Sequence, residues 1–301
     1  MTADPSPTPG TAARLRCRRI VEADREALGP LLVRGFPGRS VAEWDAALAR
    51  LLAYSAESGC PHSGYVLDLG GNLVGVLLMV FGAIPGRPMR CNLSSWYVEE
   101  SHRGYASLLV ASATRDRAVT YINISPAPPT RPTIEAQGFR RYIAGLQVAV
   151  PLLTRGAAPR VRLVEGAPPA GAAVAAGDAH VMETHARMGC LTVWCVAEGR
   201  AHPFVFQRRR IAGHRVTVAY LLYCADAGDL RRFGRALGRF LLGKGLLLAM
   251  VDAPAPVPGL VGPYLPDRMP KYAKGADVPH PGDLAFTEAA ILGEAFWLKR
   301  D

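Results

Sequence analysis

Hydrophobic and polar positions follow two rhythms along this chain, one of period two and one near 3.6, and they alternate in blocks. Leu15 to Ile20 reads as a short strand. Glu22 to Val33 then sets Ala27, Leu28, Leu31 and Leu32 on one helical face. Val41 to Leu52 does the same with Val41, Trp44, Leu48, Leu51 and Leu52, and Ser40 stands where an N-cap belongs. Tyr65 to Leu69 and Leu73 to Phe81 are strand-like runs joined through Gly70-Gly71, a hairpin signal because glycine accepts the positive φ of a tight turn. Cys91 to Val98 predicts a strand, Arg103 to Ala113 a helix and Val119 to Ile124 another strand. A short helix near Thr133 to Gln137 is stopped by Gly138, and Tyr142 to Pro151 supplies a closing strand. Strands interleaved with helices in this order predict an α/β domain around a mixed sheet.

The pattern then starts again. Thr154 to Gly177 is rich in Ala, Pro and Gly and predicts a boundary. Beyond it come a helix at Ala179 to Met188, strands at Leu191 to Val196, Phe204 to Arg209 and Arg215 to Cys224, a helix at Asp229 to Leu242 and a strand at Leu246 to Asp252. Leu284 to Thr287 is expected to close the second sheet, and the polar loop Pro258 to Gly275 to cover a pocket between lobes. The shared order of hairpin, long strand, helix and strand points to a duplicated α/β (α+β) architecture: two lobes, each a central mixed sheet flanked by helices. The division expected is a disordered tail over 1–13, a first domain over 14–151, a linker over 152–178 and a degenerate second copy over 179–301.

Composition narrows the function classes. With 50% hydrophobic residues in 301, the chain can bury two ordinary cores. The longest apolar stretches, Leu73 to Ile84 and Gly243 to Met250, fall short of a bilayer span, and the Pro/Thr/Ser-rich start has no secretory h-region, so a cytoplasmic protein without membrane insertion is expected. Six cysteines are scattered without a C-x-x-C pair, which argues against a zinc site or redox dithiol; no metal is expected. The net charge of +10, from 35 Lys and Arg against 25 Asp and Glu, favours an anionic partner. Its arginine clusters lack the interleaved aromatics of a single-strand-binding surface, so a phosphate-bearing cofactor explains the charge better than nucleic acid.

The chemistry concentrates in Trp96-Tyr97-Val98-Glu99-Glu100-Ser101-His102-Arg103-Gly104-Tyr105-Ala106-Ser107-Leu108-Leu109. A strand, a glycine-bearing turn and a helix start together suit a pyrophosphate, because the turn can expose backbone N–H groups and the helix N-terminus favours an anion. The segment resembles the central motif of the GNAT (GCN5-related N-acetyltransferase) superfamily, a strand ending in Val followed by R-G-x-G-x-G/A and a helix. Val98, Arg103 and Gly104 match, while Ala106 and Leu108 occupy the two later small positions. Glu135-Ala136-Gln137-Gly138-Phe139 resembles the family's helix end, Y-E-K-x-G-F, with Ile134 where the family often places a tyrosine acid.

The resemblance implies an acyltransferase that takes acetyl-CoA or another acyl-CoA as co-substrate and passes the acyl group to an amine or hydroxyl of a small-molecule acceptor. It places the cofactor on Tyr97, Val98, Arg103, Gly104, Tyr105, Ala106 and Ser107. A backbone N–H of the central strand would polarise the thioester carbonyl. No carboxylate or imidazole lies on that strand, so the candidates near the acceptor are Glu99, just past the strand, and Asn123 and Ser125 at the next strand's end. His102, Tyr105 and Tyr142 are further polar groups within reach. In the second half Asp226 and Asp229 stand where phosphate would approach, and should repel it. The alternative reading is a module of the same fold that binds CoA or an anionic metabolite without catalysis.

Overall fold

The computed structural model describes residues 14–156, 160–211 and 216–293. The first half runs β1 (Leu15–Arg19), α1 (Arg25–Gly35), α2 (Val41–Glu57), β2 (Gly64–Leu69), β3 (Asn72–Gly82), β4 (Arg90–Val98), α3 (Ala106–Ala113), β5 (Thr120–Asn123), α4 (Arg131–Ala136) and β6 (Arg140–Ala149). The second runs β7 (Arg162–Glu165), α5 (Ala176–Arg187), β8 (Leu191–Ala197), β9 (Arg200–Ile211), β10 (Val216–Cys224), α6 (Asp229–Gly243), β11 (Ala249–Ala253), β12 (Tyr264–Lys274) and α7 (Glu288–Ile291).

Local signals position the first helices and hairpin. Ser40 caps α2 in a reciprocal box: its hydroxyl accepts from the Glu43 amide, and the Glu43 carboxylate accepts from the Ser40 amide at 2.9 Å. Gly70 and Gly71 take φ of 62° and 96° in the β2–β3 turn, conformations a side chain would resist.

The twelve strands of the described residues join in one sheet, in the order β1-β2-β3-β4-β5-β12-β6-β11-β10-β9-β8-β7. Read inward from its two ends the order is the same for each half, with β1 to β5 matched by β7 to β11 and β12 matched by β6. The pairing senses match too: β4 and β5 are parallel, as are β10 and β11. The centre is an exchange. β12, from the second half, fills the place between β5 and β6, while β6, from the first half, lies between β12 and β11. Thus the two lobes are halves of a continuous sheet.

The two faces of the sheet treat the lobes differently. Along β3, Val76, Leu78 and Val80 point into a core shared by both lobes and covered by α1, α2, α5 and α7, whereas Leu77, Met79 and Phe81 point the other way. On that other face each lobe keeps its own core: α3 presents Leu109 and Val110 in the first, and α6 presents Phe233 and Leu237 in the second. Each such buried side chain contributes about 1.5–3 kcal/mol, so the shared core binds the lobes more firmly than surface contacts could.

The expectation for the end of the chain is corrected. Pro258 to Gly275 holds β12, and Leu284 to Thr287 forms no strand. Prolines at 266 and 270 disguise β12. They are tolerated because the pairing with β6 is interrupted between Pro266 and Lys271, with Asp267 and Met269 at positive φ inside the interruption. The segment expected as linker, 152–178, also contains the edge strand β7.

Candidate active site

β4 and β5 run side by side only from Arg90–Asn92 against Thr120–Ile122, and then part. Against β3, β4 bulges between Ser94 and Tyr97, with Ser95 at φ 51°, which swings the strand away from β5 and opens a fork. Asn92 pins the base of this fork. Its Nδ2 donates to the Ile122 carbonyl of β5 at 3.3 Å and to the Leu93 carbonyl at 3.1 Å, leaving Oδ1 turned inward.

What enters the fork is the segment around Glu288. The Glu288 amide donates to Asn92 Oδ1 at 2.8 Å, and the Glu288 carboxylate accepts from the hydroxyls of Ser94 on β4 and Ser125 beyond β5. Glu288 is only 3% exposed. Burial raises its pKa, and the two hydroxyls together with the positive Arg209 and Lys271 hold that rise in check. Three further bonds fix the segment that carries it. Gln207 of β9 donates to the Ala289 carbonyl, His185 of α5 accepts from the Phe286 amide at 3.2 Å, and Thr287 donates to the Leu284 carbonyl at 2.8 Å. Phe286 is held at φ 55°, a strained conformation for a bulky residue that these bonds stabilise. The neutral His185 ring donates from Nδ1 to the Val181 carbonyl at 2.8 Å, and burial lowers its pKa to about 4.

Above the carboxylate opens a cavity of about 480 Å³. Its walls are the end of α1 and the α1–α2 connection from Gly35 to Arg39, Trp44 of α2, Leu93 to Trp96 of β4, Asn123 at the end of β5, and Ser125 and Pro126 beyond it, with Glu288 and Leu292 between. The walls are mostly apolar and aromatic; the buried acid is Glu288.

The second lobe has the matching fork, treated differently. β10 and β11 pair over Ala219–Tyr220 and Ala249–Met250, and beyond that the edge of β10 is taken up by the chain at 282–284: Cys224 donates to Gly282 and Leu284 to Leu222, both at 2.8 Å. One strap therefore closes the second fork with its backbone and, four residues on, delivers a carboxylate into the first. Asp283, buried in the same strap, is paired with Arg90 at 2.5 Å and Arg87 at 3.3 Å of the first lobe.

Of the residues singled out in the sequence, Asn123 and Ser125 line this cavity. Glu99 does not: its carboxylate is drawn to Arg34 of α1 at 2.7 Å. Tyr97 packs its ring against Phe36, centroids 6.5 Å apart, and Val98 is buried under α3, so neither faces the turn that follows. Arg103, Gly104, Tyr105, Ala106 and Ser107 do lie together at the start of α3, in a stretch whose Glu100–Tyr105 part is wound as a 3-10 helix. That winding departs from an open cradle. The His102 amide is already donated to Glu99 at 2.9 Å and the Ala106 amide to Arg103. Gly104 has an ordinary φ and nothing within 4 Å of where a Cβ would stand. Arg103 is exposed beside Glu100 at 3.5 Å, and Leu108 is 41% exposed. In the second lobe Asp229 is engaged by His202 at 2.7 Å and Asp226 caps the Gly228 amide.

Glu288 and Asn92 were not found by reading the sequence. The available signal was a glutamate inside Phe286-Thr287-Glu288-Ala289-Ala290-Ile291, an otherwise apolar run, since a charge embedded there must be buried with partners.

No protein-family model and no curated protein matches the chain. Solved structures do. The GCN5-related N-acetyltransferase from Kribbella flavida superposes with a TM-score of 0.54 at 13% identity, over 87% of this chain and 71% of that one. The GCN5-related N-acetyltransferase from Anabaena variabilis gives 0.53 at 9% identity over 86% and 72%, and Eis1 from Mycobacterium abscessus 0.50 at 13% over 87% and 73%. The shared feature is the fold, and this chain has the fold of the GCN5-related N-acetyltransferases.

Proposed function

We propose, from that fold, that the chain transfers an acyl group from acyl-CoA to the amine of a small molecule, with Glu288 as the base. The observation that carries this reading is the buried Glu288 carboxylate at the fork between β4 and β5, facing a cavity of small-substrate size. A carboxylate whose pKa is raised by burial is better matched to proton transfer near neutrality than a solvated one. Glu288 takes the proton of the attacking amine, directly or through one water. The tetrahedral oxyanion is met by backbone N–H groups of β4 beyond Asn92, where β5 no longer pairs with the strand. Collapse expels the CoA thiolate, which is protonated from solvent. Asn123 and Ser125 hold the acceptor end, and Ser94 and Ser125 orient the base. Phe36, Trp44 and Trp96 favour an acceptor with an apolar body, its amine directed at Glu288. The pyrophosphate is assigned to Arg103 and the backbone from Gly104 to Ser107, which requires the 3-10 turn to open.

That closed turn, with both Glu288 oxygens already holding hydroxyls, favours a second reading in which the site binds acyl-CoA without turnover. One experiment separates them: thiol release from acetyl-CoA with a panel of arylalkyl and alkyl amines, for the native chain and Glu288→Gln. We expect turnover that falls about 10²- to 10⁴-fold in the variant while acyl-CoA affinity is kept. Binding without thiol release supports the module, and equal turnover in both proteins removes Glu288 from the mechanism.

A further inference from the structure

A second cavity lies on the other side of the segment that carries Glu288. It measures about 830 Å³ and is bounded by α2, the β3–β4 connection, α5 and the α7 segment. Its floor is apolar, built from Phe81, Ile84, Met188, Phe286 and Ile291. Volume and lining are those of a site for a small organic molecule.

The rim gives the ligand its charge. Arg50 of α2 and Arg187 at the end of α5 both line the cavity, and neither has an ion pair among the described residues. His180 stands beside them, and Glu57 is the acid on the lining. The third observation is independent of charge. Thr184 also lines the cavity, is 8% exposed, and its Oγ1 is buried without a hydrogen-bond partner. An unsatisfied buried hydroxyl costs about 1–3 kcal/mol; Oγ1 is closed off in this conformation, and a turn of the Thr184 side chain about Cα–Cβ brings it to the cavity wall, where a polar ligand atom supplies the missing bond. The other polar groups do not compete for that role. The Tyr54 hydroxyl is spent on the Phe81 carbonyl at 2.7 Å, and burial pushes the Cys60 thiol up to about 11.

We propose that this cavity binds an amphipathic carboxylate, its apolar body on Phe81, Ile84 and Phe286 and its anionic head between Arg50, Arg187 and the Thr184 hydroxyl. The site stands apart from the acyl-transfer reading, because none of these groups belongs to the cavity above Glu288. The two are nonetheless linked by a shared wall: Phe286 and Ile291 face this cavity, while Glu288 between them faces the other.

The test is calorimetric titration of the full chain with laurate, dodecanol and dodecylamine, which share a tail and differ in the head. Laurate is expected to bind, and dodecylamine not. The double variant Arg50→Glu/Arg187→Glu, exposed positions whose change leaves the core intact, should weaken laurate by about tenfold or more. Thr184→Val should weaken it by a few-fold, leaving dodecanol less tightly held as well. Equal binding of laurate and dodecylamine, absence of laurate binding, or laurate binding untouched by the arginine changes would each overturn the proposal. The chain continues past Gly293 through Phe296-Trp297-Leu298. If laurate binds only after these three are changed to serine in the full chain, the cavity's occupant is the chain's own terminus and the proposal fails.

Discussion

Asn92 and Glu288 meet across 196 residues of sequence, and their bond decides where the one buried acid of the first cavity points. Glu288 must be ionised to act as a base, and burial moves its pKa above the usual carboxylate range. The rate of acyl transfer should therefore rise with pH through an apparent pKa higher than that of an exposed glutamate. A pH–rate profile of kcat checks this: the limb should vanish in Glu288→Gln, and a profile with the same limb in both proteins would assign it to another group. His185 acts in the opposite sense and on stability. Its pKa is lowered from 6.5 to about 4 by burial, so below about pH 6.5 the unfolded chain binds a proton that the folded one refuses. Stability is then lost as pH falls from about 6.5 to about 4, by roughly 3 kcal/mol for this group, with the half-buried His62 adding to the loss. Urea unfolding of His185→Gln across that range should show a lower stability at neutrality and a flatter pH dependence; an unaltered slope would mean that His185 does not carry the effect.

Among the elements, α6 is placed by absent side chains. A Cβ at Gly238 would stand 2.2 Å from the Leu152 backbone nitrogen, and one at Gly234 2.3 Å from Thr154 Oγ1, so α6 lies directly against the turn that ends the first half. Gly238→Ala should destabilise by about 1–3 kcal/mol through overpacking, whereas Gly243→Ala, with open space around it, should be neutral or slightly stabilising in the same urea titration. Equal effects would show that the close approach relaxes without cost. Elements of this kind were legible wherever their cause is local: the Ser40 cap, the Gly70-Gly71 turn, the alternation along β3 and the two crossovers around α3 and α6. β12 was not, because its prolines hide in a bulge that exists only against β6. Glu288 was not, because the fork is made by β4 and β5 while the carboxylate that enters it comes from α7. The turn before α3 was legible as a segment but not in its winding, since the same residues serve an open nest or a 3-10 helix.

For the whole molecule, the exchange of β6 and β12 makes the halves structurally inseparable even though each repeats the other's strand order. Lys271 of β12, fully buried with its Nζ 2.9 Å from Asp252 of β11, adds a charged pair reaching across β6. A protease site introduced at Ala170-Gly171, an exposed part of the connection, should therefore yield two fragments that elute together and separate only in denaturant. Separation in native buffer would refute the exchange. The same arrangement sets an order of events during synthesis. The first half is complete to Ala149 long before Tyr264 is made, and at about 5–20 residues per second the gap lasts on the order of ten seconds. Through that interval β5 has no partner on its inner side, an open sheet edge of the sort that invites pairing with other chains. The nascent protein thus waits with that edge unfilled until β12 is made, and the carboxylate at the first fork arrives later still.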